Sequence, residues 1–147
     1  MQYIIYVAAF LFICDWIYEP EKMKKFYSKA TIETPEISFD HLTGEFMITG
    51  RSFPDQAFAF YDSLFLWVDE YVMVPLKNTR LVIKIDYINT SSLKCLLEIV
   101  KKLEACINKN HKVSVEWYYG KGDEEIKETG EDFGEISGIP VSVQEMQ

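Results

Sequence analysis

Between Leu81 and Ile107 the apolar residues change period. Leu81, Ile83, Ile85 and Tyr87 alternate with Lys84 and Asp86, the pattern of a strand with one buried face. Leu93, Leu96, Leu97, Val100, Leu103 and Ile107 then recur at helical spacing and give one apolar stripe. The join falls on Asn89-Thr90-Ser91-Ser92. A half-buried strand running straight into an amphipathic helix confines the chain to architectures in which helices cover a sheet.

The same turn lies where a helix leaves its first N–H groups unpaired. Those donors and the positive end of the helix dipole favour an anion. Asn, Ser and Thr are preferred N-cap residues, so by themselves they mark a helix start. Three adjacent hydroxyls at such a place also suit a phosphorylation switch. Asn89-Thr90-Ser91 further fits the glycosylation pattern, which matters only in a secreted chain. Residue types alone leave these readings open.

The flanking sequence supplies the rest of the sheet. Glu36 to Asp40 and Glu45 to Thr49 read as strands around a His41-Leu42-Thr43-Gly44 hairpin. Gly50-Arg51-Ser52-Phe53-Pro54-Asp55 leads into a helix, with Ser52 and Asp55 suited to its first turn and Pro54 tolerated there. Phe58, Tyr61, Phe65, Val68 and Val72 form its expected inner face, and it ends before Pro75. A helix from about Ser91 to Asn108 follows the central strand. Then comes a strand from Lys112 to Tyr119 with Val113, Val115, Trp117 and Tyr119 inward. A last helix lies within Asp123 to Ile136, with Ile126, Phe133 and Ile136 inward, and Gly138-Ile139-Pro140 stops it. Val141-Ser142-Val143 reads as an edge strand.

This order predicts an α/β fold, a mixed sheet packed by about three helices in a single domain. Right-handed crossovers make the strands ending at Gly50, Tyr87 and Tyr119 parallel, so their C-terminal ends share one rim with the helix N-termini. Function in α/β sheets sits at such a rim. Three loops gather there: Arg51-Ser52-Phe53-Pro54, Asn89-Thr90-Ser91-Ser92 and Tyr119-Gly120-Lys121-Gly122. Arg51 would bring a cation to the hydroxyls. Trp117 and Tyr119 belong to the core by alternation, whereas Tyr118 is free to anchor a partner.

Composition narrows the function classes. The formal charge of −8 argues against nucleic acid or an anionic membrane as partner, since both demand a basic footprint. Cys14, Cys95 and Cys106 are odd in number and sit in apolar helical patterns, which reads as buried reduced thiols in a cytoplasmic protein rather than a disulfide framework or metal site. An enzyme is disfavoured. His41 and His111 are the two histidines and assemble no Ser/His/Asp set. Asp69-Glu70 and Asp123-Glu124-Glu125 read as solvated or first-turn acids, and Gly120-Lys121-Gly122 is too short for a phosphate loop.

The N-terminus stands apart. Residues 3–13 are continuously apolar, but Asp15 interrupts the run and Glu19, Pro20 and Glu21 follow. The run is short for a membrane span and lacks the basic region and cleavage site of a secretory signal. Three readings compete: a membrane-associated segment, a helix packed on the domain, or an extension translated from a misplaced start. Met23-Lys24-Lys25 resembles a natural beginning and favours the third. The expected division is an apolar extension over 1–22 and a globular domain over 23–147.

Four motifs in order, Thr34-Pro35-Glu36-Ile37, Gly50-Arg51-Ser52-Phe53-Pro54, Tyr87-Ile88-Asn89-Thr90-Ser91-Ser92 with Lys94, and Val115-Glu116-Trp117-Tyr118-Tyr119, resemble the SiaC family of bacterial regulatory phosphoproteins from residue 31 to about 136. The resemblance implies a fold like the STAS domains of anti-sigma-factor antagonists and a non-enzymatic switch in a partner-switching circuit. It implies phosphorylation at Thr90, with Ser91 the second choice, by a dedicated kinase, and removal by a PP2C-type phosphatase. It also implies that the unmodified form binds and activates a diguanylate cyclase (a GGDEF protein), raising cyclic-di-GMP and promoting biofilm, with membrane contact only through a membrane-bound partner. Arg51, Ser52, Phe53, Pro54, Asn89, Ser91, Ser92 and Tyr118 become the expected partner-binding rim, with no catalytic residue, metal or cofactor. The alternative is a STAS-like small-ligand or nucleotide sensor using the same rim.

Overall fold

The computed structural model describes residues 22–147. The expected extension over 1–22, Cys14 included, lies outside the described residues except for Lys22. Nine elements follow: β1 (Phe26–Ser28), β2 (Glu36–Asp40), β3 (Glu45–Ser52), α1 (Ala57–Tyr71), β4 (Asn78–Ile88), α2 (Thr90–Asn108), β5 (Lys112–Tyr119), α3 (Glu124–Ser137) and β6 (Val141–Glu145). The strands stand in the sheet in chain order, β1 to β6. β2 runs antiparallel to both of its neighbours, β1 and β3, and β3, β4, β5 and β6 run parallel. Three right-handed crossovers stepping the same way across the sheet put α1, α2 and α3 on one face. Among the described residues no helix covers the other face.

Alternation builds the covered face. Ile37, Phe39, Phe46, Ile48, Leu81, Ile83, Ile85, Val115 and Trp117 are all buried, one strand after the next. Gly44 closes the β2–β3 hairpin at φ 74°, where a side chain would also run into the Asn78 carbonyl, so both backbone angle and space call for glycine. Gly138 ends α3 in the left-handed conformation, the usual C-terminal stop.

Helix phases depart from expectation in places. Ala57, Tyr61, Leu64, Trp67, Val68 and Tyr71 form the buried side of α1, and Phe58 points to solvent at 55% exposure. The face is rotated because an aromatic cluster claims it. Phe39 stacks on Phe46 at 4.4 Å, and Trp67 meets both edge-on at 5.7 and 5.3 Å. The Trp67 indole N–H donates to the Lys24 carbonyl at 2.7 Å, which fixes the chain just ahead of β1. Ile107 and Ile136, expected inside, are exposed because the buried stripes of α2 and α3 pass through their neighbours Cys106 and Ser137.

Tyr87 is the other correction. It lies 45% exposed, although Leu81, Ile83 and Ile85 before it are buried as expected. The β3–β4 register explains this: Gly50 pairs with Ile85 but Arg51 pairs with Tyr87, so Asp86 is an extra residue. Such a bulge flips every side chain beyond it. Ile88 therefore packs against the core, and Tyr87 turns to the open face beside Arg51.

Candidate functional site

The Asn89-Thr90-Ser91-Ser92 turn sits at the C-terminal end of β4 and opens α2. Asn89 is extended (φ −87°, ψ 166°), and its side-chain oxygen accepts the Ser92 N–H at 2.8 Å. Its carbonyl accepts the first helical bond from Leu93 at 3.0 Å. Asn89 is thus the cap, and Thr90 is the first helical residue. Thr90 and Ser91 are both exposed. Thr90 is therefore an exposed residue at the positive end of a helix of 19 residues.

The neighbouring loop is tied to this turn through backbone. The Asn89 N–H donates to the Ser52 carbonyl at 3.0 Å. Ser52 itself is the last residue of β3, not part of the α1 first turn, and its side chain is fully buried. Its hydroxyl pairs with the Tyr61 phenol at 2.8 Å, and burial raises the Tyr61 pKa above the ordinary phenol value. Pro54 is buried too, and Ser92 has 0% exposure with no hydrogen-bond partner for its hydroxyl among the described residues. Ser52, Pro54 and Ser92, expected on a contact surface, instead support the rim from beneath.

Arg51 is exposed, and its guanidinium lies over two rings, 5.1 Å from the Phe53 centroid and 5.6 Å from that of Tyr87. Phe53 and Tyr87 meet edge to face at 5.5 Å. The cation of this rim is therefore held by an aromatic pair, and Tyr87 joins the site through the bulge. No spacing within β4 signals that change of side; only the pairing with β3 reveals it. Tyr118 is half-buried on the open face, with the Lys84 ammonium 4.9 Å over its ring and its hydroxyl bonded to Glu116 at 3.1 Å. The third loop caps α3, with the Asp123 carboxylate accepting the Ile126 N–H at 3.1 Å.

The expected surface thus divides: Arg51, Phe53, Asn89, Thr90 and Ser91 keep side-chain exposure at the rim, and Tyr118 lies a strand away. An open groove of about 590 Å³ lies at the opposite end of the sheet, lined by Thr43, Asn78, Arg80, His111 and Lys112 among others. Arg80 there is already bound by Glu45 and Glu116, and the Leu76 carbonyl lies 2.8 Å from His111 Nδ1. Among the described residues no group of three or more His, Cys, Asp and Glu side chains gathers as a metal cage, and no helix is long and apolar enough to cross a membrane.

A family model described as "SiaC family regulatory phosphoprotein" matches residues 28–146. An uncharacterized protein of Pseudomonas aeruginosa (strain UCBPP-PA14) is 27% identical over 122 residues, spanning 83% of this chain and 97% of that one. The crystal structure of apo-SiaC from Pseudomonas aeruginosa superposes with a TM-score of 0.75 at 26% identity, over 83% of this chain and 99% of that one. A second structure, the diguanylate cyclase SiaD in complex with its activator SiaC, gives the same TM-score and identity over 82% and 99%. The expected single-domain α/β fold, six strands and three helices among the described residues, is the fold of these structures.

Proposed function

Since this chain belongs to the SiaC family of regulatory phosphoproteins, we propose that it is a non-enzymatic switch whose unmodified form binds and activates a diguanylate cyclase and whose phosphorylation at Thr90 releases it. The observation that carries this reading is the position of Thr90: exposed, first in α2, and beside a cap already supplied by Asn89. A kinase can reach such a hydroxyl without unfolding the domain. The phosphate would add about −1.5 to −2 charges and strong acceptors at that point. The helix end stabilises it by roughly 0.3–1 kcal/mol, so the modified protein stays folded.

Release then comes from the interface. A partner seated on Thr90, Ser91 and Phe53 would have to desolvate the phosphate, and a penalty of about 1.4 kcal/mol already lowers affinity tenfold. A cognate kinase and a PP2C-type phosphatase set the fraction modified, and cyclic-di-GMP output follows the unmodified fraction. Support for the cyclase comes from SiaC, which is the activator of SiaD in Pseudomonas aeruginosa. The test is a titration of the cyclases of the same genome, and of SiaD, with the parent chain, Thr90→Ala and Thr90→Glu. Parent and Thr90→Ala should bind alike and raise cyclase activity, and Thr90→Glu should bind at least roughly tenfold more weakly. Equal binding by all three, together with equal binding by the phosphorylated chain, refutes the switch.

A further inference from the structure

Lys94 belongs to the motif around Thr90 and has no task in the fold. It is exposed, and none of the ion pairs among the described residues includes it. In a chain with a formal charge of −8, its ammonium is left uncommitted.

Helix period sets this lysine beside Thr90. Cys95, Ile99, Leu103 and Cys106 turn the buried side of α2 to the sheet. Thr90 and Lys94 are both exposed and fall on the opposite, outer side, four residues apart. Residues so spaced have Cβ atoms about 5–6 Å from each other. A lysine stem and a phosphate on the threonine oxygen together close that gap. Arg51, the cation expected to serve these hydroxyls, turns the other way. It rises from β3 on the face without helices, where its guanidinium rests on Phe53 and Tyr87.

One carboxylate on the same helix competes for Lys94. Glu98 lies four residues beyond it, but helix pairs favour the anion N-terminal to the cation, and this order is the reverse. Glu98 has Lys101 and Lys102 behind it in the favoured order; Lys102 is held by Asp69 of α1 at 2.7 Å, and Lys101 is exposed. A phosphate at position 90 stands in the favoured order with Lys94 and brings about −1.5 to −2 charges. The Ser92 N–H is already taken by Asn89, so that charge is left to the helix end and to Lys94.

Resting on the phosphorylation of Thr90 proposed above, we infer that Lys94 receives the phosphate in cis, as an ion pair along the outer side of α2. The pair holds the phosphate against the helix and away from the sheet. It also changes what a partner meets. Positions 90 and 94 together go from +1 to about −0.5 to −1, and the Lys94 ammonium is no longer open to a partner's carboxylate.

The test is phosphorus NMR on the full chain with phosphothreonine installed at position 90, which needs neither kinase nor cyclase. A cation beside the phosphate favours its dianion and so lowers its second pKa. In Lys94→Gln that pKa should rise by about 0.3–0.5, and the rise should shrink as salt is added. Lys94→Arg should restore the parent value. Lys101→Gln, about 16 Å from Thr90 along the same helix, should leave it unchanged. The unmodified Lys94→Gln chain should keep the parent's thermal midpoint, because no ion pair is lost. An unchanged phosphate pKa in Lys94→Gln, or a rise in Arg51→Gln instead, overturns the pair. The functional reading fails separately, if the phosphorylated parent still binds and activates the cyclase; the NMR result does not depend on that outcome.

Discussion

Asn89→Ala probes the switch turn without touching Thr90. The Asn89 side chain accepts the Ser92 N–H at 2.8 Å and is the cap of α2. Removing such a cap costs about 1 kcal/mol, within a range of roughly 0.5–2. For a domain of this size that lowers the thermal midpoint by about 3–6 °C. Phosphate on Thr90 stabilises the helix end by about 0.3–1 kcal/mol when the cap is present. When the cap is absent, a phosphate oxygen can take the vacated N–H, so modification should recover part of the loss. Four species decide the matter: parent and Asn89→Ala, each with and without phosphothreonine installed at position 90. Urea or thermal denaturation should show a larger stabilising effect of phosphate in Asn89→Ala than in the parent. An Asn89→Ala midpoint equal to that of the parent, or a phosphate that destabilises both forms equally, refutes the account of the turn as a capped, anion-tolerant helix start.

Two further outcomes test the body of the domain. Gly130 faces Trp117, whose indole occupies the space a side chain would need and donates to the Ile126 carbonyl at 3.0 Å. Gly130→Ala gains up to about 1 kcal/mol of helix propensity, but it overpacks the core by about 1–3 and strains a buried hydrogen bond worth about 1. A net loss of about 1–3 kcal/mol should appear in urea unfolding, with quenched or shifted Trp fluorescence; a parent-like midpoint would mean that Trp117 moves freely. The Cys95 thiol is buried and its pKa is raised to about 11 by burial. It should resist thiol reagents at pH 8 until the chain unfolds. Because the unfolded thiol ionises near its ordinary value of about 9, its contribution is intact below that pH and is lost as pH rises through about 11. Rapid labelling of the native Cys95 would refute this.

The sheet was legible in the sequence wherever one strand could be read by itself. Glu36 to Asp40, Lys112 to Tyr119 and the Leu81–Ile83–Ile85 run show their buried side by alternation, and the helices show most of theirs by period, with Phe58, Ile107 and Ile136 misplaced. What escaped depends on pairing. The three-residue β1 is too short to carry a period, and it is held by β2 and by the Lys24–Trp67 bond. Phe58 and Trp67 are both large and apolar, and only the Phe39–Phe46 stack decides which of them turns inward. At the rim, Thr90 and Asn89 were readable because capping chemistry is local. Ser52 and Ser92 were not, since a serine looks the same whether it faces a partner or a buried phenol.

The extra residue at Asp86 means that length, more than residue identity, governs the end of the central strand. Delete Asp86 and the two strands pair without interruption: Tyr87 then follows the inward Ile85 directly and Ile88 lies two beyond it, so both keep their present sides of the sheet. The guanidinium would keep both walls of its aromatic seat, but the bend and added twist with which the strand enters the next helix would be lost. A shortened variant of this kind keeps every other residue yet offers Thr90 at an altered angle to whatever approaches that corner.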